Sequence, residues 1–151
     1  MLDDIDRRIL RHFQATPSLT TAELADLCRI SAGVCWRRIE KMQATGIIQG
    51  QEVVIDWAAM GYAVEVSLRV TLDKTQARAF DDFTEAARNV PEVVEIQTFL
   101  GRVDVRLSVI AKDMNHYQLL YRNRILTLPH IADIETLMHI ARVKSDEVLP
   151  V

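Results

Sequence analysis

The sequence predicts an α+β chain in two parts, a winged helix-turn-helix followed by a four-stranded sandwich carrying two helices. Three observations predict it. Apolar residues recur at helical spacing through the first 48 residues. After Gly61 the period changes from about 3.6 residues to about 2. Strand-like and helix-like segments then alternate in the order βαββαβ.

The first part builds helix by helix. Leu2, Ile5, Ile9, Leu10 and Phe13 form one apolar stripe, with Asp3 and Asp4 at its start, where the helix dipole favours anions. Thr16-Pro17-Ser18 ends that helix. Thr20 with Glu23 makes a capping box for a second, whose stripe is Leu24, Leu27 and Cys28. Ser31 is suited to cap a third, with Cys35, Ile39 and Met42 facing inward. Gly46 suits a left-handed C-terminal cap, after which Ile47-Ile48 packs the exit. Three helices and a short linker strand give an expected winged-helix domain over residues 1–60.

Residues 61–151 read as the second domain. Val64, Val66, Leu68, Val70 and Leu72 alternate with Glu65, Ser67, Arg69 and Thr71, the pattern of a half-buried strand. Ala77, Phe80, Phe83, Ala87 and Val90 give a helix that stops before Pro91. Val93 to Leu100 is a second strand, Gly101 a turn, and Val103 to Val109 a third strand. Tyr117, Tyr121, Ile125 and Leu128 line a helix that stops before Pro129, and Ile131 to Val143 is the last strand. This is the order of a ferredoxin-like sandwich, whose helices cover one sheet face. Met138 and Ile140 are expected on the other face, so a second copy of the domain is expected to cover it as a homodimer.

Net charge is -3, but its distribution is uneven. Residues 1–50 hold seven Arg and Lys against six acids, whereas residues 51–151 hold eleven against fifteen. Between Arg29 and Lys41 four basic residues accompany a single acid, Glu40. A local basic surface suits one small element that meets phosphates. The exposed side of the third helix carries Ser31, Trp36, Arg37, Arg38 and Lys41, a shape that fits the DNA major groove. Arg37 points outward and suits base readout, because a guanidinium can bond guanine O6 and N7 together. Arg38 suits either a phosphate clamp or an ion pair within the domain. Trp36 is either half-buried or in contact with sugar or a thymine methyl.

Cys28 and Cys35 lack metal-ligand spacing and read as small buried hydrophobes in a reducing compartment. The acidic opening MLDDIDRR is unlike a secretory signal, and no apolar run reaches the ~18 residues of a membrane span. A cytoplasmic protein with no membrane partner is expected. No Ser/His/Asp set, metal cluster or phosphate loop is visible, so no enzyme activity, cofactor or metal is expected.

Taken together, the opening LDDIDRRIL, the run from Cys35 through Arg38-Ile39-Glu40-Lys41-Met42 to Gly46-Ile47-Ile48, Gly101 with Asp104, and Glu135-Thr136-Leu137 resemble the Lrp/AsnC (feast/famine) family of transcriptional regulators. The resemblance runs essentially end to end. It implies a sequence-specific regulator that binds double-stranded DNA through its N-terminal domain and dimerises through the C-terminal one. It also implies assembly into tetramers or octamers, with a small amino acid bound between dimers near Gly101, Arg102, Val103, Asp104 and Thr136. Three departures stand out. Arg29 occupies a turn position where the family usually has Gly, at a cost of roughly 1 kcal/mol if the backbone is left-handed. The recognition helix opens Ser31-Ala32-Gly33 rather than Ser-Pro, which lets its N-terminus approach bases or phosphates closely. Arg102 stands where an acid is usual, which shifts the expected effector toward an acidic amino acid, or toward none. A ligand-independent architectural DNA binder is the alternative. A related branch of sirohaem decarboxylases uses a His-bearing motif, and the corresponding stretch Gln97 to Arg102 has no His.

Overall fold

The structure, a computed structural model, describes residues 1–145 and 148–151. Two compact units emerge, residues 1–54 with 144–151, and residues 55–143.

In the first unit α1 (Asp4–Ala15), α2 (Thr21–Cys28) and α3 (Ala32–Ala44) enclose a core of Ile9, Leu24, Ala25, Cys28, Cys35 and Met42. Each helix starts where its side-chain chemistry provides a partner for free backbone N–H groups. Asp3 and Asp6 form a reciprocal capping box on α1, and Thr20 and Glu23 form one on α2. The Ser31 hydroxyl accepts from Val34 N at 3.3 Å at the start of α3. After α3, Gly46 is left-handed at φ 75°, and Ile47 N returns to Met42 O at 2.9 Å, closing a Schellman turn. Three expectations need correction. Leu27 is 49% exposed, and Ala25 takes the inward place beside Leu24 and Cys28. No linker strand forms, because residues 51–60 are all exposed and pair with no strand. Likewise only Ile48 of the Ile47-Ile48 pair packs on the core.

The second unit is the sandwich, with β1 (Val64–Leu72), α4 (Ala79–Arg88), β2 (Val93–Thr98), β3 (Val105–Ala111), α5 (Met114–Leu120) and β4 (Ile131–Met138). A single π-helical turn, Tyr121–Ile125, extends α5. The antiparallel sheet runs β2-β3-β1-β4, the order that places sequence-distant strands side by side in this topology. Val66, Leu68, Val70, Val105, Leu107 and Val109 point to the helix side and pack on Phe83, Ala87, Tyr117, Leu120 and Ile125. Strands end earlier than expected, at Thr98 and Met138, and β3 begins at Val105, so Val103 belongs to the turn.

The opposite sheet face corrects an expectation. Met138 pairs with Val66 and therefore lies on the helix side, while Ile140 lies beyond the strand. The outer face instead carries interleaved charge. Arg69 faces Glu135 at 3.9 Å, and Arg106 faces Glu95 at 4.0 Å. The requirement for an apolar cover therefore does not arise from Met138 and Ile140.

Candidate functional site

α3 owes its orientation to buried Cys35 and Met42 on one side and to one ion-paired arginine at its flank. Arg38 Nη1 reaches Asp3 Oδ2 at 2.7 Å and Asp6 Oδ1 at 2.8 Å, so the α1 cap also ties α1 to α3. Of its two expected roles, Arg38 fills the ion pair. The Asp6 backbone N–H and the Arg38 guanidinium together hold the Asp3 carboxyl below the usual carboxylate range. A second tie comes from Arg8, whose Nη1 donates to Cys28 O at 3.0 Å at the carbonyl end of α2.

With Arg38 engaged, the exposed side of α3 presents Ser31, Ala32, Gly33, Trp36, Arg37 and Lys41. Among the described residues Arg37 makes a single hydrogen bond, from Nε to Gly33 O at 3.4 Å, within its own helix. Both Arg37 and Lys41 are exposed, and among the described residues neither the remaining Arg37 guanidinium donors nor the Lys41 ammonium has a hydrogen-bond or ion-pair partner. Trp36 is 52% exposed and flanks a cavity of about 480 Å³ with Phe13, Leu19, Thr20 and Ile39. A Cβ added at Gly33 would meet nothing within 4 Å, so the helix start is open to an approaching surface. At the α2–α3 turn Arg29 is left-handed, with φ 55° and ψ 48°. Both cysteines are buried and free, and burial pushes their thiols up, which makes them poor nucleophiles.

At the other unit's turn, Gly101 adopts φ 154° and Arg102 is exposed, while Asp104 is 2% exposed. Asp104 already has structural partners. Leu72 N donates to its Oδ2 at 2.8 Å, and Lys74 Nζ lies 3.1 Å from its Oδ1. Lys74 was not legible as a site residue, because a lysine just past a strand end is ordinarily solvated. Thr71 Oγ1 donates to Arg102 O at 3.0 Å, which secures the other side of the turn. Exposed Phe99 and Leu100 precede it. Thr136 sits elsewhere. It pairs with Leu68 in mid-sheet, and β1 separates its strand from β3, so one chain does not bring it against Asp104. Nearby, the Tyr117 hydroxyl is buried without a well-formed hydrogen bond; burial raises its pKa and the Thr136 side chain offsets this in part.

One Ser–His–Glu set exists that the sequence order conceals. His139 Nε2 lies 3.0 Å from Ser67 Oγ, and its Nδ1 lies 3.5 Å from Glu65 Oε1. Ser67 is buried in the middle of β1, whose backbone is committed to β3 and β4, so no N–H pair is left to stabilise an oxyanion. Among the described residues no group of three side chains could hold a metal ion, and no helix is long and apolar enough to cross a membrane.

Comparison with known proteins agrees with both halves of this geometry. Residues 2–49 match a winged helix-turn-helix DNA-binding domain, and residues 65–149 match the Lrp/AsnC ligand binding domain. The glutamate uptake regulatory protein of Zymomonas mobilis is 27% identical over 149 residues, covering 99% of this chain and 90% of that protein. An AsnC family transcriptional regulator from Agrobacterium tumefaciens superposes with TM-score 0.88 at 30% identity, over 99% of this chain and 97% of that one. A transcriptional regulator from Neisseria meningitidis in complex with L-Met superposes with TM-score 0.91 at 24% identity, over 99% and 97%. The chain belongs to the Lrp/AsnC family of DNA-binding transcriptional regulators.

Proposed function

We propose that this regulator reads a specific operator with α3, works as a homodimer or larger assembly in the cytoplasm, and responds to a small amino acid. The observation that carries the reading is the division of labour on α3. Arg38 is consumed by Asp3 and Asp6, whereas Ser31, Ala32, Gly33, Trp36, Arg37 and Lys41 form an open face with two outward cations. Arg37 serves as the base reader and Lys41 as a phosphate contact. Residues 1–60 then act as the DNA-binding part, and residues 61–151 as the part that dimerises and holds the effector.

Two features support self-association. Val53, Val54 and Ile55 form an exposed apolar run, and the outer sheet face carries both signs of charge, which a second copy can meet with its own. The effector reading is supported by the match to a ligand binding domain and by the L-Met complex of the Neisseria relative. In this chain the turn Gly101, Arg102 and Val103 offers backbone N–H groups to a carboxylate, while Asp104 N is bonded to Val70 O at 3.0 Å. Asp104 acts by fixing the turn to Leu72 rather than by direct contact. A ligand touching both the turn and Thr136 takes them from different subunits. Arg102 favours an acidic or amide side chain.

The test is titration of the intact protein onto its own upstream DNA, with each amino acid added in turn. Binding tighter than to random DNA, falling steeply with salt and shifted by Asp, Glu, Asn or Gln more than by Lys or Arg, supports the reading. Tight binding that no amino acid changes supports the architectural alternative instead.

A further inference from the structure

The chain's last described residues group with the first unit, although in sequence they follow the sandwich strand β4. Two side chains one helical turn apart on α1 hold them. The Gln14 amide donates to Leu149 O at 2.7 Å and accepts from Leu149 N at 2.9 Å. It thereby satisfies both backbone polar groups of Leu149, as a neighbouring strand would. Arg11 Nε donates to Val151 O at 2.7 Å. Around these bonds Val148, Leu149 and Val151 wall an open groove of about 920 Å³ with Leu10, Phe13 and Ile48. Leu149 nevertheless stays 64% exposed. Directed hydrogen bonds, rather than apolar burial, hold the segment, and such contacts open readily.

We propose that residues 148–151 are a releasable strap. The chain's own C-terminal segment docks on α1 and attaches the DNA-binding unit to the sandwich at a second point. The first attachment is the 51–60 segment, which is exposed at every residue and pairs with no strand. With the strap docked, the recognition helix has fewer accessible orientations than the linker alone allows. A dimer in this state discriminates the spacing between two half-sites sharply; with the strap released it tolerates more spacings. The spacing consequence rests on the dimeric DNA-binding reading above, whereas the docking does not.

The experiment is amide hydrogen exchange by NMR on the full chain and on Gln14→Ala, followed by binding to DNAs with varied half-site spacing. In the wild type the Leu149 amide exchanges at least about tenfold slower than an unstructured amide, and Gln14→Ala removes that protection while α1 amides keep theirs. Exchange of Leu149 at the unstructured rate in the wild type overturns the strap. A second variant, Val151→Cys carrying a nitroxide, identifies the docked chain. Broadening of α1 amides within the same chain supports docking as described, and broadening only on labelled chains mixed with tagged unlabelled ones overturns it in favour of a second copy. If Leu149 protection is lost in Gln14→Ala but the spacing preference is unchanged, the proposed coupling to DNA is overturned, and neither result bears on whether α3 reads DNA.

Discussion

Two residues in the helix-turn-helix, Arg29 and Gly33, have consequences that backbone geometry sets. Arg29 holds a left-handed conformation that L side chains adopt at a cost. Arg29→Gly is therefore expected to stabilise the protein by about 1 kcal/mol, read as a raised urea midpoint with unchanged slope. Gly33 lies in the first turn of α3 with open space where a Cβ would go. Gly33→Ala should add about 0.5–1 kcal/mol of stability, since glycine disfavours helix. If the small residue also serves close approach to DNA, the same variant weakens operator binding. A gain in both stability and affinity would show that Gly33 has no part in contacting DNA. Arg38 differs in kind. Its charge is directed at Asp3 and Asp6, so Arg38→Ala should cost about 1 kcal/mol or less in stability and leave operator selectivity intact.

The α1 cap, with its tie to Arg38, contributes to how the first unit responds to acid, as does Glu23 in the α2 cap. Asp3 has its pKa lowered in the folded state, so its contribution is complete above the ordinary value of 3.8 and is lost as pH falls through the folded value below it. Asp3→Asn should make the decline in stability shallower on that acid side, as followed by thermal melting between pH 5 and pH 2.5, roughly the window in which such carboxylates titrate. How well each element could be read from sequence follows from where its signals lie. The starts of α2 and α3 were legible because their caps are local: Thr20 and Ser31 each bond a backbone N–H three residues on, whereas α4 begins at Ala79 without a side-chain cap. Strand ends were less so, since alternation persists into Phe99-Leu100 and Ile140 although the partner strand has stopped. A face assignment failed for Met138 because only its register with Val66 decides which side it takes. Partnerships between distant positions carried no local signal at all. Lys74 on Asp104, Arg38 on Asp3 and Gln14 on Leu149 join positions that only the fold brings together. The exposed face of α3, with Arg37 outward, was readable from helical spacing, but which of its two roles Arg38 fills depends on Asp3 and Asp6, which only the fold brings to it.

At the scale of the molecule the protein is a two-unit regulator in which a DNA-reading helix and a ligand-type sandwich share one chain. The turn proposed to meet the effector carries an exposed Arg102 beside a buried Asp104 that is ion-paired with Lys74. Arg102→Asp should therefore reverse the ranking of amino acids in a thermal-shift panel, toward Lys and Arg and away from Asp and Glu. Self-association is checked by sedimentation of the intact chain, which should run as a dimer or larger at micromolar concentration; a folded monomer there would contradict the homodimer. The most direct measurement concerns Arg37, the outward cation on α3. Operator and random-sequence affinities of the wild type and Arg37→Ala are compared at one salt concentration. The expected result is a loss of about 1–3 kcal/mol on operator DNA with little change on random DNA, as for a lost base contact. An equal loss on both DNAs, or no loss on either, would contradict base reading by α3.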